Sequence, residues 1–223
     1  MEENYSIAKN KVFYSVVALA IIGIVNICFV SFAGEYATAY SVDNPWLLFL
    51  FPVLMSSAYI YYFVALGHLK RAIVEDCVRA VVLLRISSAL LAFSSLLETI
   101  IYIAICYQDY TLWYVFGIVG ASAAFIVEYL VSMAAFIIGI LGSNRLRISK
   151  SFSGRDGAKI LFIAMLLLIV GALLPIVPMS KVNIQYISVS VSKILSILVY
   201  VSAFVLIVFG WKKIKDYPRS MQC

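Results

Sequence analysis

Histidine occurs once in the chain, at His68. A haem held by two histidines of one chain is thereby excluded, and so is a multi-histidine metal centre. Cysteine is sparse as well: Cys28, Cys77, Cys106 and Cys223 are widely scattered, and no Cys-x-x-Cys pair exists. That spacing indicates neither a zinc site nor a disulfide framework. The Gly-x-x-x-x-Gly-Lys-Ser/Thr order of a phosphate loop is missing too. No catalytic residue, metal ligand or cofactor is therefore assigned. The largest deficit is in charge. Acidic and basic residues make up 13% of the 223 residues, against about one quarter in a soluble globular domain.

Hydrophobic residues fill the gap at 64%, and the mean hydropathy is +1.04. Apolar runs near or above twenty residues recur, each long enough to cross a hydrocarbon core of about 30 Å as a helix. A soluble helical core of this composition would leave very little chain to cover it with polar surface. The sequence therefore predicts an all-α, polytopic integral membrane protein, a single transmembrane domain over residues 1–223. Six spans are predicted, at about 12–33, 46–66, 86–106, 112–142, 159–178 and 188–211. The run from Val12 to Ala33 is longer than a usual signal core, and no small-residue cleavage site follows it closely. It is expected to stay as the first membrane helix. Asp43 or Asn44 can cap helix two, with Pro45 in its first turn. Helix four is too long for a vertical crossing, so it must tilt, kink or project.

A net charge of +6 would suggest nucleic acid in a soluble protein. Here it is the excess of Lys and Arg that membrane proteins collect in cytoplasmic loops, and no nucleic-acid partner is expected. With the N-terminus in the cytoplasm, every basic residue but Lys181 and Lys193 falls inside. The expected arrangement is three in–out–in hairpins with both termini cytoplasmic. Tyr36, Tyr40, Trp46, Tyr107, Tyr110, Trp113, Tyr114 and Tyr186 gather near the outer ends, as an anchoring aromatic belt does.

Each hairpin starts after a basic residue (Lys11, Arg85, Lys159) and ends in Gly-x-x-Lys/Arg, at Gly67, Gly142 and Gly210. The pattern fits an ancient hairpin repeat, and helix-ending glycines with basic inner ends also explain it without one. On the inner face, Gly67 to Arg85 alternates apolar and charged residues at helical spacing and is expected to lie along the membrane surface. Glu75, Asp76 and His68 match no metal motif there. The basic, serine-rich stretch from Ser143 to Lys159 reads as a mobile loop drawn to anionic lipid headgroups.

Two acids lie inside apolar runs. Glu98 is thirteen residues beyond Arg85, about 20 Å along a helix. Glu128 lies at nearly the same height when counted back from Gly142. On consecutive antiparallel helices they should face each other near mid-membrane. A buried acid costs about 2.5–3.5 kcal/mol on insertion scales, so it should point into the bundle. Ser88, Leu91, Ser95, Glu98, Tyr102 and Cys106 share one face of helix three. Gly117, Ala121, Ala124, Glu128, Ser132, Ala135, Gly139 and Gly142 form a stripe on helix four, and such small residues let another helix approach closely. Two neighbouring carboxylates in low dielectric cannot easily both ionise, so one should hold a proton. Lys193 either reaches their depth or snorkels to the outer interface. Asn26 is expected to make an interhelical hydrogen bond.

Two functions from different classes fit. One is a small transporter or proton- or cation-handling protein centred on Glu98, Glu128, Ser95, Ser132 and Lys193. The other is a non-catalytic subunit or scaffold of a larger membrane complex, with a membrane-protein partner or a second copy of itself. A lipid-modifying enzyme would need a nucleophile or metal cluster near an interface, and none is convincing.

Overall fold

The computed structural model describes residues 2–33, 46–73, 75–107, 110–149, 154–174, 181–184 and 187–214. Among them are six long helices: α1 (Glu2–Ala33), α2 (Trp46–Ala72), α3 (Glu75–Tyr107), α4 (Tyr110–Ile148), α5 (Arg155–Leu173) and α6 (Val191–Lys213). All six are long and apolar enough to cross a membrane. The chain is a multi-pass integral membrane protein. A helix satisfies its own backbone hydrogen bonds, which lipid cannot do for it. Apolar side chains also stand on the outside: Ile21, Ile126, Leu130 and Leu198 are each more than half exposed. Lipid makes such a surface stable, because its tails are as apolar as leucine. Helix α4 has 39 residues and is about 58 Å long, well beyond a vertical crossing.

One short ribbon interrupts the helical pattern. Strand β1 (Lys181–Ile184) pairs antiparallel with β2 (Ile187–Ser190), Lys181 lying opposite Ser190. Their β-branched residues suit a strand. Helix α6 therefore begins at Val191, three residues later than predicted. Asp43, Asn44 and Pro45 lie outside the described residues.

Two expectations for the basic end are corrected. The stretch from Gly67 to Arg85 is not a surface helix: α2 runs on to Ala72 and α3 starts at Glu75. Its apolar residues face the core, Cys77 and Val81 being almost fully buried. The stretch from Ser143 to Lys159 is mostly helical too, with α4 reaching Ile148 and α5 starting at Arg155. Leu146 is buried and anchors the end of α4, while residues 150–153 lie outside the described residues. Nor do the three glycines end their helices, since α2, α4 and α6 each run past Gly67, Gly142 and Gly210.

Each helix packs on its neighbours in sequence, and α6 closes back on α1, so the helices form a ring. Polar contacts show the antiparallel register. Ser56 Oγ on α2 donates to the Ala92 carbonyl at 3.2 Å, and Ser88 Oγ on α3 returns a bond to the Tyr59 carbonyl at 2.7 Å. Ser87 Oγ reaches the Ala135 carbonyl on α4, and Ser196 Oγ on α6 reaches the Gly171 carbonyl on α5, both at 2.7 Å. A serine in lipid needs an acceptor, and these four find one on the next helix. Alternation brings the start of α1, α3 and α5 together with the end of α2, α4 and α6. There Val12, Leu66, Val81, Leu146, Leu161 and Trp211 form one buried core drawn from all six helices. Replacing Ser87 and Ser196 together by alanine should cost about 0.6 kcal/mol for each bond. Equilibrium unfolding in mixed micelles would measure it, and an unchanged midpoint would contradict the assignment.

Candidate functional site

The seam between α3 and α4 repeats at alternating spacings of four and three. On α3 it runs through Ala80, Leu84, Ser87 and Ser94. On α4 it runs through Glu128, Ser132, Ala135, Gly139 and Gly142. A Cβ at Gly142 would stand 3.0 Å from the Leu84 side chain and 3.1 Å from the Ala80 carbonyl oxygen. A Cβ at Gly139 would meet Ser87 Oγ and the Met165 sulfur of α5, both at 3.0 Å. Small residues on this stripe set the close approach that brings the polar groups together.

At the far end of the seam lies a triangle of oxygens. Ser94 Oγ donates to Glu128 Oε1 at 2.5 Å, and Ser132 Oγ donates to the same oxygen at 3.1 Å. The two hydroxyls are 2.7 Å apart. Glu128 is thus held by one hydroxyl from the opposite helix and one from its own next turn. A carboxylate with two such donors is stabilised as an acceptor inside the bundle. The hydroxyl on α3 belongs to Ser94, one residue before the expected Ser95. Ser87 and Ser94 are seven residues apart and both face α4. Ser95 lies a helical step of about 100° away, is buried, and its carbonyl accepts a bond from Thr99 Oγ1 at 2.9 Å.

Glu98 stands one turn beyond Ser94 on α3, and the antiparallel register sets it within a turn of the level of Glu128. It is half-buried. Tyr129 Oη donates to the Ala172 carbonyl near the end of α5, at 3.5 Å. Ala172 is about 25 Å along α5 from Arg155, so the triangle lies toward the end of the bundle away from the basic residues. Arg85, from which the height is counted, is tied to α2. Its Nε donates to the Phe63 carbonyl at 3.3 Å and its guanidinium covers the Phe63 ring at 4.2 Å.

The remaining residues fall as follows. Lys193 is half-buried in the first turn of α6, one turn before Ser196 and so at about the height of Glu98. Ala135 is fully buried and Ala124 half-buried. Gly117 and Ala121 are in helix α4, but their surroundings lie outside the described residues. The same holds for Asp76, while His68 and Glu75 are exposed. No group of three potential metal ligands occurs among the described residues. Asn26 makes no interhelical bond through its carbonyl oxygen: Oδ1 is buried without a hydrogen-bond partner.

Sequence reasoning missed three tyrosines. Tyr59 on α2 lies within electrostatic range of Glu98 and of Tyr200 on α6. Tyr200 in turn lies within range of Glu128 and Tyr129. Helices α2, α4 and α6 are not neighbours in the ring, so these groups meet in its interior. Aromatic residues are common in every span, which hid them. The available signal was the step of three from Ser56 to Tyr59 and of four from Ser196 to Tyr200. Each tyrosine shares a helix face with a serine that bonds a neighbouring helix. Comparison of the chain with described protein families, curated proteins and solved structures found no match.

Proposed function

We propose that this is a small proton- or cation-handling membrane protein whose polar centre is Glu98, Glu128, Ser94 and Ser132. Lys193, at about the same height on α6, is the cation assigned to balance one of the acids. The observation carrying this reading is the triangle itself. An ionisable carboxyl inside a bundle of apolar helices is bound by hydroxyls from two helices, and electrostatic range links it to groups on the far side of the ring. Intramembrane acids of this kind mark ion and proton routes. The basic end, with Lys70, Arg71, Arg145 and Lys212, is assigned to the cytoplasm and to anionic headgroups, and both termini are assigned to the same side.

The full chain reconstituted in vesicles should pass protons or a monovalent cation down a gradient. Glu98→Gln plus Glu128→Gln should reduce that flux to the level of protein-free vesicles. Flux unchanged by the pair would sink the proposal. A second reading keeps the same hydrogen bonds as a clasp between α3 and α4 in a scaffold or subunit. The apolar outer face of α4, with Ile126, Leu130, Ile137 and Leu141 exposed, would then meet a partner helix. Glutamate-independent behaviour with a stoichiometric partner in native membranes would favour it.

A further inference from the structure

Arg85 is a cation whose own groove offers it no carboxylate. Helix α2 contains no acidic residue. On α3 the nearest acids in sequence are Asp76 and Glu75, nine and ten residues before Arg85, and Glu98, thirteen after it. Nine residues are about 14 Å of helix, too far for an ion pair. The Phe63 carbonyl takes only Nε–H, and the Phe63 ring lies under the guanidinium. The N–H groups of both terminal nitrogens have no hydrogen-bond partner among the described residues. Guanidinium groups are built to hold a planar pair of oxygens, and this one is aimed without one.

Its place is the lipid-facing edge of the seam between α2 and α3. Arg85 lies one turn before Ser88, which bonds the Tyr59 carbonyl, so it belongs to the flank of α3 that meets α2. Ile86 and Ala89 beside it are exposed. A Cβ at Gly67 would stand 3.3 Å from Nη2, 3.4 Å from Cζ and 3.6 Å from Nε of Arg85. The guanidinium plane therefore lies flat on Gly67, where the missing side chain lets it settle onto α2. Phe63, Gly67 and Lys70 follow steps of four and three, so they share one flank of α2. Lys70 is exposed, one turn beyond Gly67 toward the basic end. Residues 46–65 of α2 rise about 30 Å, the thickness of a hydrocarbon core. The guanidinium at Gly67 thus stands where hydrocarbon gives way to headgroups, with Lys70 just beyond. On the other side of Gly67, Val64 and Ile60 of α2 and Ala89, Phe93 and Leu96 of α3 are exposed and apolar.

We propose that this groove binds an anionic phospholipid. Its phosphate takes the unused N–H groups of Arg85 and the ammonium of Lys70, and its chains lie along the apolar edge toward Ile60 and Phe93. Charge-assisted bonds from a guanidinium fork to phosphate are among the strong ones. A choline or ethanolamine headgroup brings a cation of its own. No carboxylate on α2, or within two turns of Arg85 on α3, would receive it, so the groove favours a lipid of net negative charge. Such a site needs the basic end to lie among headgroups, and it does not need Glu98 and Glu128 to handle an ion.

The full chain, stripped of lipid in detergent, is titrated with phosphatidylglycerol and separately with phosphatidylcholine of the same chains. Native mass spectrometry counts the bound lipid. The first phosphatidylglycerol should bind about tenfold tighter than phosphatidylcholine. Arg85→Gln should remove that preference, and so should Gly67→Leu, whose side chain takes the place of the guanidinium. Lys70→Gln should weaken it about threefold. Arg79→Gln, an equal loss of charge at an exposed position on α3, should keep it. Where Arg85→Gln does not assemble, Gly67→Leu and Lys70→Gln decide. Inorganic phosphate in large excess should not displace the lipid, and displacement would overturn the lipid in favour of a soluble phosphate. A preference kept in Arg85→Gln, Gly67→Leu and Lys70→Gln overturns the site. A preference lost equally in Arg79→Gln also overturns it, and leaves standing a general attraction of the basic end for anionic headgroups. No preference in the wild type overturns both.

Discussion

Gly157→Leu should leave almost no monodisperse protein after detergent extraction. A Cβ at Gly157 would stand 2.5 Å from the Gly210 carbonyl oxygen and 2.8 Å from the Ile214 backbone nitrogen. These are backbone atoms, one in α6 and one just past its end, and cannot rotate away. The contact is reciprocal, since a Cβ at Gly210 would meet the Leu161 side chain at 2.8 Å. Overpacking a core commonly costs about 1–3 kcal/mol, and here leucine must force two helix backbones apart. Total stabilities of about 5–15 kcal/mol leave little room for that. Gly67→Ala is the control, because its Cβ would meet only the far end of the Arg85 side chain, at 3.3 Å, and no backbone. Size-exclusion profiles and melting curves decide the matter. A Gly157→Leu protein that behaves like wild type would mean that α5 and α6 do not touch as described.

Glu128→Ala and Glu128→Gln should separate stability from ion handling. Alanine removes the acceptor of two hydroxyl bonds and leaves Ser94 and Ser132 only each other, a loss of about 1–3 kcal/mol. Glutamine keeps an acceptor oxygen in the same place, so its melting curve should stay close to wild type. It cannot ionise at any working pH, and flux should vanish in both variants. Glutamine with wild-type flux would make Glu128 a clasp and nothing more. Glutamine as destabilised as alanine would show that a charged acceptor holds the seam.

The spans were legible because lipid sets one length for every crossing and the apolar runs respect it. The excess length of α4 could be counted directly. Glu128 and the small residues after it were legible as a stripe, because alternating steps of four and three are visible in the letters. The exact partner was not. A turn of one residue moves a side chain by about 100°, and nothing in "SSLLE" distinguishes Ser94 from Ser95 until Ser87 is seen bonded to Ala135. Arg85 resembles an interface residue in the letters, and nothing there shows that the Phe63 carbonyl and ring hold its guanidinium against α2. The ribbon before α6 was hidden because its β-branched residues are as apolar as the helix that follows.

Closure of the helices into a ring has a mechanical consequence. A loop of six rods is a linkage: no seam can widen without a change at another. If α4 swings away from α3 to expose the carboxyls, the motion must be taken up where α4 meets α5. Gly139 lies at that junction, with Ser87 on one side and Met165 on the other. It is the natural pivot for such a swing, and Glu128 lies on a lever arm of about 16 Å from it.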